Sequence, residues 1–267
     1  MSGYAHHLAF DFKSGIRDTT LMLMNYLFPI GFFVMIGLFM PTINPTFLDI
    51  MVPGLILFAL MSGTLMTIPG TLVDQRNAGI LRSYRVNGVP ALALITIPVL
   101  GALVHMTLVS AMLTAGGSLL FDAVLPVRWG WFAGIIVLAT LSLATLSALI
   151  GIVAPSSRAA TLLTQLVFVP SVILGGLMVP ADMLSESIAR GASLLPATQA
   201  MRAFNALAMG GGTPADGLVP VVVLAASVVV NLGLSFALFR WNARSGGRSG
   251  LFALLALVPF AISALLW

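Results

Sequence analysis

Six separate apolar runs, near residues 21–40, 50–71, 91–120, 130–154, 159–180 and 218–239, constrain this chain more than any other feature. A run of about 20 apolar residues, coiled at about 1.5 Å per residue, spans the hydrocarbon core of a bilayer. The runs are continuously apolar rather than alternating at period two, which favours helices over a β-barrel. Charged residues make up 7% of the 267 positions, against about 25% in a soluble domain. Too few polar groups remain to cover a water-facing surface. The expected fold is an all-α integral membrane protein, a six-helix transmembrane bundle. With no internal repeat, residues 1–240 read as one transmembrane domain and 241–267 as a C-terminal extension.

The basic residues orient the bundle. With both ends of six spans on one side, that side collects Lys13, Arg17, Arg76, Arg82, Arg85, Arg158, Arg240, Arg244 and Arg248. The other side collects Arg128, Arg190 and Arg202. The positive-inside rule then places the N-terminus in the cytoplasm. The pI of 10.3 does not indicate nucleic acid, because these residues are scattered between spans and make no basic face. Residues 1–20 lack the h-region and cleavage site of a secretory signal. Within them Leu8, Phe12 and Ile16 share a helical face, as in an interfacial helix leading into the first span. The run 251–267 reads as a seventh span or as a membrane-lying helix. Arg240, Arg244 and Arg248 mark a cytoplasmic turn before it and favour the span.

Several chemistries are excluded. There is no cysteine, hence no disulfide and no thiolate metal site. Lys13 is the only lysine and no Gly-rich phosphate loop accompanies it, so the chain cannot supply a P-loop. Asp11, Asp18, Asp49, Asp74, Asp122, Asp182, Glu186 and Asp216 all fall at span ends or in loops. Ion-coupled carriers generally keep ionisable groups inside the membrane, and only His105 stands there. A lone histidine in a span is more often a packing residue than a proton relay. His6-His7 has no nearby third ligand. No nucleophile, base or metal constellation can be assembled, so no catalytic residue is assigned and an enzyme is not expected.

Three polar features remain. The first is the insert 74–90, which carries Asp74, Arg76, Arg82 and Arg85. It is long enough for a helix on the bilayer surface, and suits either contact with a soluble partner or anionic headgroups. The second is 181–217, where Asp182 and Pro196 mark two short helix starts. These helices either dip back into the outer leaflet or lie flat upon it. The third is a scatter of polar residues within spans: Asn25, Thr64, Thr161, Thr164 and Gln165. Interhelical hydrogen bonding is their ordinary use; lining a substrate path is the sharper one. Prolines in the spans should kink helices, with neighbouring groups satisfying the freed carbonyls. Gly151 and Gly175-Gly176 allow close helix contact.

Taken in order, these features resemble the membrane subunits of ABC-2-type exporters. Asp74-Gln75-Arg76-Asn77-Ala78-Gly79-Ile80-Leu81-Arg82-Ser83-Tyr84-Arg85, followed by Pro90, is similar to that family's acid–basic–Gly–Leu–Arg pattern. There it forms the cytoplasmic coupling helix on the ATPase subunit. Gly175-Gly176-Leu177-Met178-Val179-Pro180, Leu194-Leu195-Pro196 and Gln199-Ala200-Met201-Arg202 resemble the stretch after the family's fifth span, where a re-entrant helix pair lies. The resemblance covers roughly residues 8–240. Asp74 stands where the family often has Glu, and Ile80 where it frequently has Thr. The resemblance implies a dimeric permease working by alternating access with a separate ABC ATP-binding subunit, which would hold ATP and Mg; this chain itself needs no cofactor. It implies Asp74, Arg76, Gly79, Arg82, Tyr84 and Arg85 as partner contacts, and Gly176, Pro180, Pro196 and Arg202 as the re-entrant region. The expected setting is a bacterial inner membrane and the expected cargo a drug-like or lipid-like amphiphile. Polysaccharide or sodium export, a non-ATP-driven carrier and an assembly factor are the alternatives.

Overall fold

The computed structural model describes residues 18–44, 47–177, 184–239, 241 and 253–265. The expected lead-in helix up to residue 17, His6-His7, Pro180 and Asp182 lie outside the described residues. Six helices are long and apolar enough to cross a bilayer, and no strand occurs among the described residues. The helical bundle expected from the apolar runs is therefore the fold.

Helix α1 (Thr19–Ile43) begins at Asp18, whose Oδ1 accepts the N–H groups of Thr20 at 2.8 Å and Leu21 at 3.2 Å. This is an ordinary acidic N-cap. The ladder widens to a π turn over Leu23–Leu27. Pro29 explains the place: it has no N–H for the Asn25 carbonyl, and Phe28 N–H instead reaches back to Leu23.

The second span runs from Phe47 to Asn77 but is broken into α2 (Phe47–Leu65) and α3 (Ile68–Asn77). Pro69 is again the cause. It cannot donate to the carbonyl of Leu65, which accepts the Thr164 hydroxyl at 3.2 Å instead. A short helix α4 (Ile80–Val86) follows, then α5 (Ala91–Phe121), α6 (Trp129–Val153) and α7 (Ser157–Leu174). Beyond the Gly175-Gly176 turn come α8 (Glu186–Ala192) and α9 (Pro196–Ala203), which runs on through a π turn to Ala208. Helix α10 (Pro214–Leu238) opens on a capping box in which Thr213 and Asp216 satisfy each other's backbone N–H groups. Helix α11 (Val258–Leu265) is preceded by one tight turn over Leu254–Leu257.

Span two and α6 form the centre of the bundle and are mostly buried, whereas α1, α7 and α10 leave most of their surface for lipid. Gly151 lets span two and α6 touch: a Cβ there would stand 3.0 Å from Leu72 and 3.1 Å from the Pro69 Cα. Phe58 ties three helices together, stacking on Phe32 of α1 at 3.9 Å and meeting Phe168 of α7 edge-on at 5.8 Å.

One expectation changes in detail. The insert 74–90 is not one surface helix, because its first four residues complete the second span and a turn at Gly79 separates them from α4. Among the described residues the last apolar helix runs over Leu254–Leu265, twelve residues with about 18 Å of rise; 251, 252, 266 and 267 lie outside them. It packs along α10, with Ala256 and Phe260 in the core.

Candidate functional site

The polar insert folds into an elbow anchored from within. Arg76 sits in the last turn of α3 and is only 6% exposed. Its guanidinium donates to the carbonyls of Gly151 at 3.4 Å, Ile152 at 3.1 Å and Ala154. These are carbonyls at the C-terminal end of α6, which no intrahelical N–H can reach. A cation there also meets the negative end of the helix dipole. One residue pair away, Asp74 accepts the Ser157 hydroxyl at 2.7 Å, and Ser156 caps α7 through the Ala159 N–H. Val73, Ala154 and Ala160 close a small apolar cluster beneath. The end of span two is thus joined to the end of α6 and the start of α7.

Gly79 makes the bend. Its φ of 73° is left-handed, a conformation that costs an L side chain about 1–2 kcal/mol. After it, α4 buries Leu81 and turns Arg82, Arg85 and Val86 outward, with Tyr84 half-buried. The Arg85 guanidinium lies 6.0 Å from the centre of the Trp241 ring, at the limit of a cation–π contact. Asn87 closes the helix by donating to the Ser83 carbonyl at 2.9 Å, and Pro90 starts α5. The six residues expected at a partner surface therefore divide. Arg82 and Arg85 face outward, Asp74 and Gly79 are exposed at the bend, Tyr84 is half-covered, and Arg76 points into the bundle. Sequence alone did not separate Arg76 from the other arginines, because its partners are carbonyls some 75 residues away.

At the other end of the bundle, Gly176 adopts a φ of 85° and turns the chain after α7. Helix α8 stays largely exposed, with an Arg190–Glu186 ion pair of 2.5 Å on its surface. Helix α9 is tucked inside: Ala197, Gln199, Ala200 and Ala203 are almost wholly buried against α2, α6 and α10. Of the two readings for this pair, the one that enters the bundle holds for α9. Pro196 occupies the first turn of α9, where its missing N–H is harmless, and Arg202 is half-buried near its end. Gln199 donates to the Ser193 carbonyl at 2.7 Å and to Ser263 of α11 at 3.0 Å, linking the pair to the last helix.

The expected substrate-path residues do not converge. Thr64 is buried and donates to its own helix at the Leu60 carbonyl, 2.6 Å away. Thr164 serves the break at Leu65. Thr161 is exposed and bonds the Ser157 carbonyl at 3.0 Å, and Gln165 is half-exposed on the same helix. Asn25 lines a cavity between α1, span two and α5, which the other four do not line. Thr67, Thr71, Gln75 and His105 share that cavity; the four-residue spacing from 67 to 75 was the sequence signal for three of them. Among the described residues no group of His, Asp and Glu is placed to hold a metal.

A bundle of six apolar helices, with a basic elbow keyed into one end and a helix tucked back into the other, defines a multi-pass membrane protein. Residues 7–209 match the family model for the ABC-2 type transporter, and the chain belongs to that family. It is an ABC transporter permease, a membrane subunit that is not itself catalytic; the family generally works with an ABC ATP-binding subunit. No curated protein and no solved structure matches the chain.

Proposed function

We propose that this permease exports an amphiphile, drug-like or lipid-like, from the cytoplasm or inner leaflet of a bacterial inner membrane. Two copies would work by alternating access with two copies of a separate ATPase that holds ATP and Mg. The elbow carries the reading. Its outer helix α4 offers Arg82 and Arg85 on a side rich in basic residues, and its inner end is hydrogen-bonded through Arg76 and Asp74 to α6 and α7. A push on α4 would pass through the short Gly79 turn to the end of span two, which is bonded to α6 and α7. Differential contacts in two states are what a ligand-driven switch requires. The wide apolar surface and the confinement of every acid to span ends or loops favour an uncharged or weakly charged greasy cargo over an ion.

The test is capture of the full chain from its native membranes in detergent, scored for a co-purifying P-loop ATPase. Wild type should bring the ATPase down, and the Arg82→Glu, Arg85→Glu double variant should lose it. Capture by both forms would refute the choice of contacts. Failure of the wild type to capture any ATPase, while other membrane complexes survive, would refute the exporter reading.

A further inference from the structure

A half-open cavity of about 100 Å³, lined by both polar and apolar groups, lies between α1, span two and α5. Asn25, Thr67, Thr71, Gln75 and His105 supply its hydrogen-bonding groups. Thr67, Thr71 and Gln75 recur every four residues and form a ladder along one helical face. The ladder leads from half-exposed Gln75 and exposed Thr71, at the elbow end, to Asn25 and His105, both buried.

Three features of the backbone converge on Asn25. The π turn of α1 is centred on it, and such turns recur at functional sites. The break in span two falls at Thr67, across the cavity from it. Gly63 gives it room, since a Cβ there would stand 3.3 Å from Asn25 Oδ1 and 2.3 Å from the tip of Met106. Asn25 is 6% exposed, yet its Oδ1 has no hydrogen-bond partner. Such a buried acceptor is a standing cost; Oδ1 has almost no accessible surface of its own, so a ligand relieves that cost as the Asn25 amide turns toward the cavity. His105 of the lining is held by Tyr26, which does not line the cavity, through a 2.7 Å contact between Oη and Nδ1 that ties α1 to α5.

The lining selects the ligand chemistry. The Thr67 and Thr71 hydroxyls give their protons to the carbonyls of Gly63 and Thr67, at 2.5 and 2.9 Å. Their oxygens therefore remain as acceptors, like Asn25 Oδ1. Among the described residues no Asp, Glu, Lys or Arg lines the cavity, and a charged group would enter without a counter-ion from them. An uncharged hydrogen-bond donor of small volume fits. We propose that this slot binds the hydroxyl or primary-amide head of an amphiphile, entered from the elbow side and held by Asn25. The proposal rests on the amphiphile reading given above and names the head group that the permease takes.

The experiment uses the full chain in lipid nanodiscs, without any ATPase. The probe is a medium-chain alkanol with an aliphatic diazirine beside its hydroxyl, and labelled peptides are mapped by mass spectrometry. Label should fall within 21–25, 67–75 and 98–105, and excess 1-decanol should remove it while decane does not. Asn25→Leu should lower labelling about tenfold, the loss expected for one net hydrogen bond. Thr67→Val, which keeps the side-chain shape, should lower it several-fold. Asn231→Leu removes an equally buried amide whose polar atoms also lack partners, but outside the cavity, and should leave labelling unchanged. Three results would each overturn the proposal. One is label spread over the lipid-facing helices. Another is equal labelling by the matching diazirine alkane. The third is unchanged labelling in both Asn25→Leu and Thr67→Val. Because no ATPase takes part, a negative result here leaves the exporter reading standing, and failed ATPase capture leaves this binding result standing.

Discussion

Arg76→Met separates the two roles an arginine can have at this elbow. The methionine keeps the apolar stem and removes the guanidinium. Three carbonyls at the end of α6 then lose their donor, and the site is too buried for free access of water. A hydrogen bond to a charged group contributes about 1.5–3 kcal/mol, and a buried orphan acceptor costs about 1–3 kcal/mol. The three bonds share one cation and differ in length, so simple addition overstates the effect. A net loss of about 2–4 kcal/mol is expected. At about 2–4 °C per kcal/mol for a chain of this size, the melting midpoint should fall by about 5–15 °C. The assay is thermal unfolding of the purified full chain in one detergent, followed by helical circular dichroism. Arg76→Lys keeps the charge but not the fork that reaches several oxygens, and should fall between the two. Arg82→Met and Arg85→Met should melt within about 2 °C of wild type, as surface substitutions usually do. ATPase capture should show the reverse order, retained in Arg76→Met below its melting point and lost in the double Arg82 and Arg85 variant. If Arg76→Met melts with the wild type, or Arg82→Met is destabilised as much as Arg76→Met, the division of the elbow into inner key and outer face is wrong.

Gly79→Val should cost about 1–2 kcal/mol through its left-handed φ, while Gly79→Asn, a residue that tolerates that region, should cost less; thermal unfolding measures both. The cysteine-free chain invites single-cysteine labelling with an impermeant maleimide. Ser83→Cys on α4 should react only from the cytoplasmic side and Ser187→Cys on α8 only from the outside. Leu265→Cys should react with Ser187→Cys, because Ser263 is bonded to Gln199 in the re-entrant pair; reaction together with Ser83→Cys would refute a crossing by the last segment.

Much of this architecture is local and was legible in the chain. Each span declares itself because a helix in lipid must be apolar along its own length, whatever it packs against. Proline marked two of the irregular turns, at Pro29 and Pro69, since the missing N–H belongs to the residue itself, whereas Pro53, Pro98 and Pro170 sit inside continuous helices. The start at Pro196 was equally readable, as it follows from the backbone preference of a single residue.

Which polar residue serves which purpose was not local. Arg76, Arg82 and Arg85 look alike in sequence, yet one is turned into the bundle by carbonyls at the end of α6 and the others are left outside. Thr164 reads as a path-lining hydroxyl until Pro69, on another helix, frees the carbonyl it serves. Asn25 reads as one more interhelical donor until the π turn and Gly63 leave its oxygen buried without a partner, on a residue that lines a cavity. Hydrophobicity acts through the residue that carries it, so the sequence determined the number of spans, while only packing decided which prolines interrupt them. A hydrogen bond needs two partners, and here they are often 75 or more residues apart. Only the packed bundle could decide which polar groups hold the protein together and which one waits for a ligand.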